Sequence, residues 1–184
     1  MSNSEKSSNT DMDAEERARR VKLILFDVDG VMTDGSLYLA DDGQEFKSFN
    51  SHDGHGIKML KSSGVDMGII TGRTSKVVIH RAKNLGIEHI YQGAEDKYSA
   101  YSDLISRLKL SPEETAFMGD DVVDLPVMIR CGFAVSVPDA PDIVKERSHY
   151  ITERRGGNGA VRETCEFILK AQGNYEEQIE KYLK

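Results

Sequence analysis

Asp27-Val28-Asp29-Gly30 follows directly on a continuous apolar run, Val21–Phe26. In an extended segment, residues two apart point the same way, so both carboxylates can face one ligand. Two acids so close raise each other's pKa unless a cation neutralises them. Magnesium suits that task, because it prefers oxygen ligands and bridges carboxylates to phosphate. A solvated turn is the plain alternative for this segment alone. An EF-hand loop is excluded by the spacing and by the apolar run in front. Three other segments offer matching parts: Thr71-Gly72-Arg73, Lys97 at the start of a helical stretch, and Gly119-Asp120-Asp121 with Asp124 one turn later. Each is weak by itself, since a threonine at a strand end is more often a helix cap than a phosphate ligand. Together they bring acids, a hydroxyl and a cation from four segments to one edge.

Those residue types predict phosphoryl transfer. Asp27 can attack phosphorus in line, giving an aspartyl-phosphate that divides hydrolysis into two easier steps. Asp29 can protonate the leaving oxygen and then activate water. The expected magnesium ligands are Asp27, Asp120 and the Asp29 main-chain oxygen, with Asp121 and Asp124 in support. Thr71 and Lys97 are expected to hold the non-bridging phosphoryl oxygens.

Convergence on one edge requires a particular frame. Val21–Phe26, Asp66–Thr71, His89–Gln92, Thr115–Gly119 and Phe133–Val137 read as buried strands. Helical stretches are predicted over His55–Ser62, Ser75–Leu85, Asp96–Leu108, Asp121–Cys131 and Ala160 to about Gln172, with Tyr175–Lys184 as a short tail. Strands alternating with helices predict an α/β fold with a doubly wound parallel sheet, which carries its site at the carboxyl ends of the strands. Ser36–Ala40 and Glu45–Phe49 break the alternation as a β-hairpin around a Gly-containing turn. Phosphatase domain boundaries at 21 and 173 follow, with residues 1–20 as a disordered leader and 174–184 as a tail. The chain has 184 residues and a net charge of −7, which argues against a general nucleic-acid surface. No apolar run could cross a bilayer and no secretion signal is visible, so a cytoplasmic address is expected. Cys131 and Cys165 read as lone buried thiols.

The segments DVDGVMTDG, TGR, Lys97 and GDDVVD, in that order, resemble the motifs of the haloacid dehalogenase superfamily. FNSHDGHGIK (Phe49–Lys58), IYQG and GGNGAVRE (Gly156–Glu163) resemble its family of 3-deoxy-D-manno-octulosonate 8-phosphate phosphatases, over about Val21–Gly173. That resemblance implies a magnesium-dependent phosphatase of an acidic sugar phosphate in lipopolysaccharide precursor synthesis, working as a homo-oligomer, a homotetramer. It also implies substrate contacts from Asn50, Ser51, His52, Asp53, Gly54, Lys58, Gly72, Arg73, Arg81 and Arg162, besides Asp29 and Lys97. Two positions depart from the pattern: Lys58 and Asn158 stand where Arg is frequent, which leaves room for a related nonulosonate 9-phosphate. The intervals Thr33–Ile70 and Lys97–Gly119 are too short for a covering domain, so the capless subtype is expected. An open site needs a cover, and a neighbouring subunit could supply it, with the hairpin as glue and the Gly156–Arg162 segment as a lid in trans.

His52 and His55 lack a third ligand and are not expected to bind metal. Lys58, Arg73 and Arg81 are either solvated cations or the pocket for a sugar carboxylate. Among rival functions, a signalling receiver domain uses similar residues but places its phosphate-accepting Asp on a middle strand, where this chain has Thr71-Gly72-Arg73. A regulatory protein that kept only the fold would not need every chemical position filled, and a phosphomutase needs a cap to exclude water.

Overall fold

Strand β1 (Leu23–Phe26) is buried along its whole length, because strands flank it on both edges and helices cover both faces. In this computed structural model, which describes residues 14–184, β1 lies parallel to β4 (Asp66–Ile70) on one side and β6 (Thr115–Gly119) on the other. With β5 (His89–Tyr91), β7 (Phe133–Ser136) and β8 (Tyr150–Ile151) the sheet runs β5-β4-β1-β6-β7-β8. Phe26 stands opposite both Ile69 and Met118, so three strands end level. The chain leaves β1 towards β4 and β5, then returns to β6 on the other side. The end of β1 is therefore the switch point at which such sheets open a crevice.

Right-handed crossovers place α2 (Ser51–Ser62) and α3 (Lys76–Leu85) on one face, and α4 (Lys97–Leu108) and α5 (Leu125–Met128) on the other. Helix α7 (Ala160–Ala171) packs along α2 and buries Ala160, Val161, Cys165, Ile168 and Leu169. Both cysteines are free and buried, as expected. The hairpin is shorter than predicted, with β2 (Tyr38–Leu39) antiparallel to β3 (Glu45–Phe46).

Several boundaries differ from the sequence reading. Helix α2 starts at Ser51 rather than His55, because Asn50 caps it: its Oδ1 accepts from the amides of His52 at 2.8 Å and Asp53 at 3.3 Å. The helix expected over Asp121–Cys131 is a 3-10 turn (Val122–Asp124) followed by the short α5, since Asp124 turns its side chain inward and Pro126 occupies the first turn of α5. Helix α6 (Asp142–Lys145) and β8 carried no strong pattern and were not anticipated. The tail contains α8 (Tyr175–Glu180). The leader expected over residues 1–20 needs correction. Residues 14–19 form helix α1, which buries Ala14 and Ala18 in the core. Gln172 Nε2 donates to the carbonyls of Ala18 at 3.3 Å and Val21 at 2.8 Å, fastening the helix to the end of α7. Residues 1–13 lie outside the described residues. Among the described residues no helix is long and apolar enough to cross a membrane.

Residues 156–184 are thus part of the core rather than a detachable lid. Val161, Ile168 and Leu169 of α7 are fully buried and each contribute roughly 1.5–3 kcal/mol, against a total stability of about 5–15 kcal/mol. Deleting residues 156–184 should abolish the cooperative thermal transition seen by circular dichroism. A truncated chain that melts cooperatively near the parent temperature would refute this packing account.

Candidate active site

Lys97 opens α4 at the carboxyl edge of the sheet, and its side chain is only 3% exposed. Its Nζ lies 3.0 Å from Asp27 Oδ1 and 2.6 Å from Asp124 Oδ1. Burial opposes the charge on Lys97, but the two carboxylates outweigh it and raise its pKa. Burial, then the Asp124 carboxylate, push Asp27 up to about 6 against the pull of Lys97. Asp124 is fully buried. Its Oδ1 faces Lys97, while Oδ2 accepts from the amides of Asp120 at 2.9 Å and Asp121 at 3.1 Å. Both oxygens are thereby committed to holding the lysine and the loop after β6.

Asp120 has a different character. Its Oδ1 is buried without a partner among the described residues. Burial, with Asp124, Asp27 and Asp121 behind it, pushes its pKa up to about 8. Carboxylate oxygens of Asp27, Asp120 and Asp124 lie within 4.8 Å of one another. A hard oxygen set carrying more negative charge than one lysine can answer fits magnesium. Because Asp124 is already occupied, Asp27 and Asp120 are the side chains able to ligate the ion, and Asp124 positions them. Asp121 is exposed, and its Oδ1 accepts from the Val122 amide at 2.7 Å. The turn after Asp27 closes over this group at Gly30 (φ +89°), where an added Cβ would lie 2.0 Å from Asp120 Oδ2.

Around this centre is a second layer of paired charges. Lys47 Nζ on the hairpin donates to Asp29 Oδ1 at 2.5 Å and lies 3.1 Å from Glu45 Oε1. Arg73 Nη2 donates to the same Glu45 oxygen at 3.0 Å, and its Nε lies 3.9 Å from Asp29 Oδ2. Neither Lys47 nor Glu45 was anticipated, since charges on a hairpin usually read as solvated. The available signal was their alternation with Phe46, which puts them together on one face. Thr71 is buried beside the site.

The remaining candidates divide. Arg81 Nη2 donates to the Asn50 carbonyl at 3.2 Å, and its guanidinium lies 5.6 Å from the Phe49 ring centre. Phe49 therefore turns towards the core instead of joining the exposed ribbon. Gly54 is buried near Arg81, while Ser51, His52 and Gly72 are exposed. Asp53 is buried: Oδ1 accepts from the Arg162 amide at 2.8 Å in the first turn of α7, and Oδ2 has no partner among the described residues. Burial raises its pKa against that bond. Arg162 in turn donates from Nε to Glu166 at 2.5 Å, beside a cavity of about 700 Å³ shared with His52, Tyr150 and Glu163. Lys58 is exposed on α2 with no ion pair among the described residues. The Gly156–Arg162 segment packs against the catalytic turn of its own chain. Gly157 N donates to the Val31 carbonyl of its own chain at 3.0 Å, and a Cβ on Gly156 would lie 1.9 Å from the Gly30 oxygen. The glycines allow the segment to back the catalytic turn within one chain.

Residues 87–163 match the haloacid dehalogenase-like hydrolase family. The 3-deoxy-D-manno-octulosonate 8-phosphate phosphatase KdsC of Yersinia pestis is 47% identical, over 89% of this chain and 88% of its own length. The chain belongs to the haloacid dehalogenase-like hydrolases, in the branch that holds these phosphatases. A probable YrbI-family phosphatase of Pseudomonas syringae superposes with a TM-score of 0.93 at 50% identity, covering 94% of this chain and 98% of that one. The corresponding phosphatase of Moraxella catarrhalis, crystallised with magnesium, phosphate and KDO, gives a TM-score of 0.90 at 44% identity, over 92% and 97% of the two chains. As in a capless hydrolase, only the catalytic turn (Val28–Met32), the hairpin and α2 stand between β1 and β4, and only a 3-10 turn (Pro112–Glu114) between α4 and β6.

The raised carboxylates make stability depend on metal and pH. Without metal, Asp27 titrates near 6 and Asp120 near 8. From the ordinary carboxylate range up to about pH 8 the native state then binds more protons than the unfolded chain, so stability falls as pH rises. A divalent cation competes with those protons. The rise in Tm on adding magnesium should therefore be larger at about pH 8 than at about pH 6. An equal rise at both, measured by calorimetry, would contradict the metal role of this pair.

Proposed function

We propose that this hydrolase removes phosphate from 3-deoxy-D-manno-octulosonate 8-phosphate, giving the free sugar acid and inorganic phosphate in lipopolysaccharide precursor synthesis. The observation that carries the reading is the buried Asp120 Oδ1, without a partner among the described residues, beside Asp27 and Lys97 at the switch point of the sheet. The relatives' named substrate supports the choice of sugar acid.

Asp27 Oδ1 is held by Lys97, leaving Oδ2 to attack phosphorus as the ester bond to the sugar oxygen breaks. Asp29 gives its proton to that leaving oxygen, then takes one from the water that attacks the aspartyl-phosphate. The second attack breaks the Asp27–phosphorus bond and returns both aspartates to their starting state. Thr71 and Lys97 hold the non-bridging oxygens. Magnesium held by Asp27, Asp120 and the Asp29 main-chain oxygen would screen carboxylate from phosphate. Arg73 and Arg81, with Asn50, Ser51, His52 and Gly54, form the rim at which an anionic sugar would be received.

Asp27→Asn should lower phosphate release from the sugar phosphate by at least about a thousandfold while leaving the melting temperature near wild type. A chelator should stop the wild-type reaction, and magnesium should restore it. Near-normal turnover by a folded Asp27→Asn protein, or by exhaustively metal-free enzyme, would sink the reading.

A homo-oligomer, in our reading a homotetramer, fits the hairpin. Leu37, Tyr38, Leu39 and Phe46 are exposed, the last two by 66% and 57%. Two-stranded ribbons are marginal in water unless something covers them. Leu39→Asp with Phe46→Asp should shift the sedimentation coefficient to that of a smaller species. An unchanged coefficient would remove the ribbon from the interface.

A further inference from the structure

Lys47 lies on an outer hairpin, where a lysine ordinarily keeps its ammonium in water. Here the side chain is only 1% exposed, with Nζ 2.5 Å from Asp29 Oδ1 and 3.1 Å from Glu45 Oε1. Burying an ammonium costs several kcal/mol unless carboxylates answer it, so packing alone would be met by an uncharged stem of equal length. Glu45 Oε1 also accepts from Arg73, which ties the lysine into a fixed group. Asp29 needs such an anchor. It sits in a turn with extended backbone (φ −73°, ψ 119°), followed by Gly30 in the left-handed region. Its side chain is partly open to water. Its Oδ1 is held by Lys47, while the nearest cation to Oδ2 is Arg73 Nε at 3.9 Å.

We propose that Lys47 is a positioning residue for proton transfer: it fixes Asp29 by Oδ1 so that Oδ2 faces the leaving oxygen of the substrate. The assignment rests on the phosphatase reading above. As the ester O–P bond breaks and the Asp27–phosphorus bond forms, the proton passes from Asp29 Oδ2 to the leaving oxygen. Lys47 keeps its own protons throughout. Misplacing a reacting group by about an ångström can cost about a hundredfold in rate, so the hairpin contributes to the chemical step from outside the group that touches phosphate.

The test compares two substrates on the full-length protein with magnesium present. Departure of a sugar alcohol needs a proton, whereas 4-nitrophenolate leaves without one. In single-turnover measurements of the step that phosphorylates Asp27, which precedes the water attack shared by both substrates, Lys47→Met and Lys47→Gln should lower the rate on the sugar phosphate about tenfold or more, with KM little changed, and on 4-nitrophenyl phosphate less than about twofold. Lys47→Arg should recover most of the loss. With Asp29→Asn already in place, Lys47→Met should cost nothing further on the sugar phosphate, as expected for residues acting as one unit. Melting curves report folding, and the glutamine variant keeps a polar stem should the methionine variant not fold. Equal losses on the two substrates, or no loss on either, overturn the role of Lys47 while leaving the phosphatase reading intact. A wild-type protein that turns over neither substrate overturns both together.

Discussion

A lysine ammonium enclosed between two buried carboxylates sets the geometry at the carboxyl edge of the sheet. Lys97 reaches Asp27 from β1 and Asp124 from the loop after β6, so one side chain joins the two strand ends that carry the chemistry. Such an arrangement is stable only while every member has its partners, since an unanswered buried charge costs several kcal/mol. Asp124 meets that condition with Lys97 on one oxygen and two amides on the other. Asp120 does not, and its raised pKa is the electrostatic signature of a site built around more positive charge than the protein itself provides. A divalent ion would answer the charge that this pairing leaves over.

An acidic chain that handles phosphate must gather its cations locally, and it does so with counter-anchors. Arg73 and Lys47 share Glu45, Arg81 is held by the Asn50 carbonyl, and Arg162 is held by Glu166. These pairs keep long side chains in one place, and Lys47 and Arg73 hold their charge beside Asp29 at the crevice. The hairpin takes part on both of its faces: Glu45 and Lys47 point to the site, and Phe46 between them points away. From the opposite side, the Gly156–Gly157 backbone presses on the turn that carries Asp29 and Gly30. A site with no covering domain thus derives its rigidity from a ribbon and a glycine segment of the same chain.

Much of this frame was legible beforehand, because a buried parallel strand leaves a plain trace. Leu23–Phe26 and Thr115–Gly119 are uninterrupted apolar runs that end in acids, and the rule for parallel sheets puts those acids on one edge. Lys97 and Thr71 were legible only as members of that set. What escaped depends on contacts between distant segments. The alanines at positions 14 and 18 look unremarkable in a polar stretch, yet they are small enough to seat α1 on the core. Asp53 reads as a ligand beside a glycine but serves α7, more than a hundred residues away. Asp124 reads as a metal ligand until its two oxygens are traced to Lys97 and the loop amides. Lys47 reads as a solvated hairpin residue, and only its burial reveals otherwise.

The central claim is that Asp27 becomes covalently phosphorylated during turnover. An aspartyl-phosphate is reduced by borohydride to homoserine, whereas a free carboxylate is not. Quenching the enzyme in borohydride during turnover of the sugar phosphate, then sequencing its peptides by mass spectrometry, should place homoserine at position 27 and nowhere else. Full turnover with position 27 unmodified, or with the label on another acid, would contradict the account.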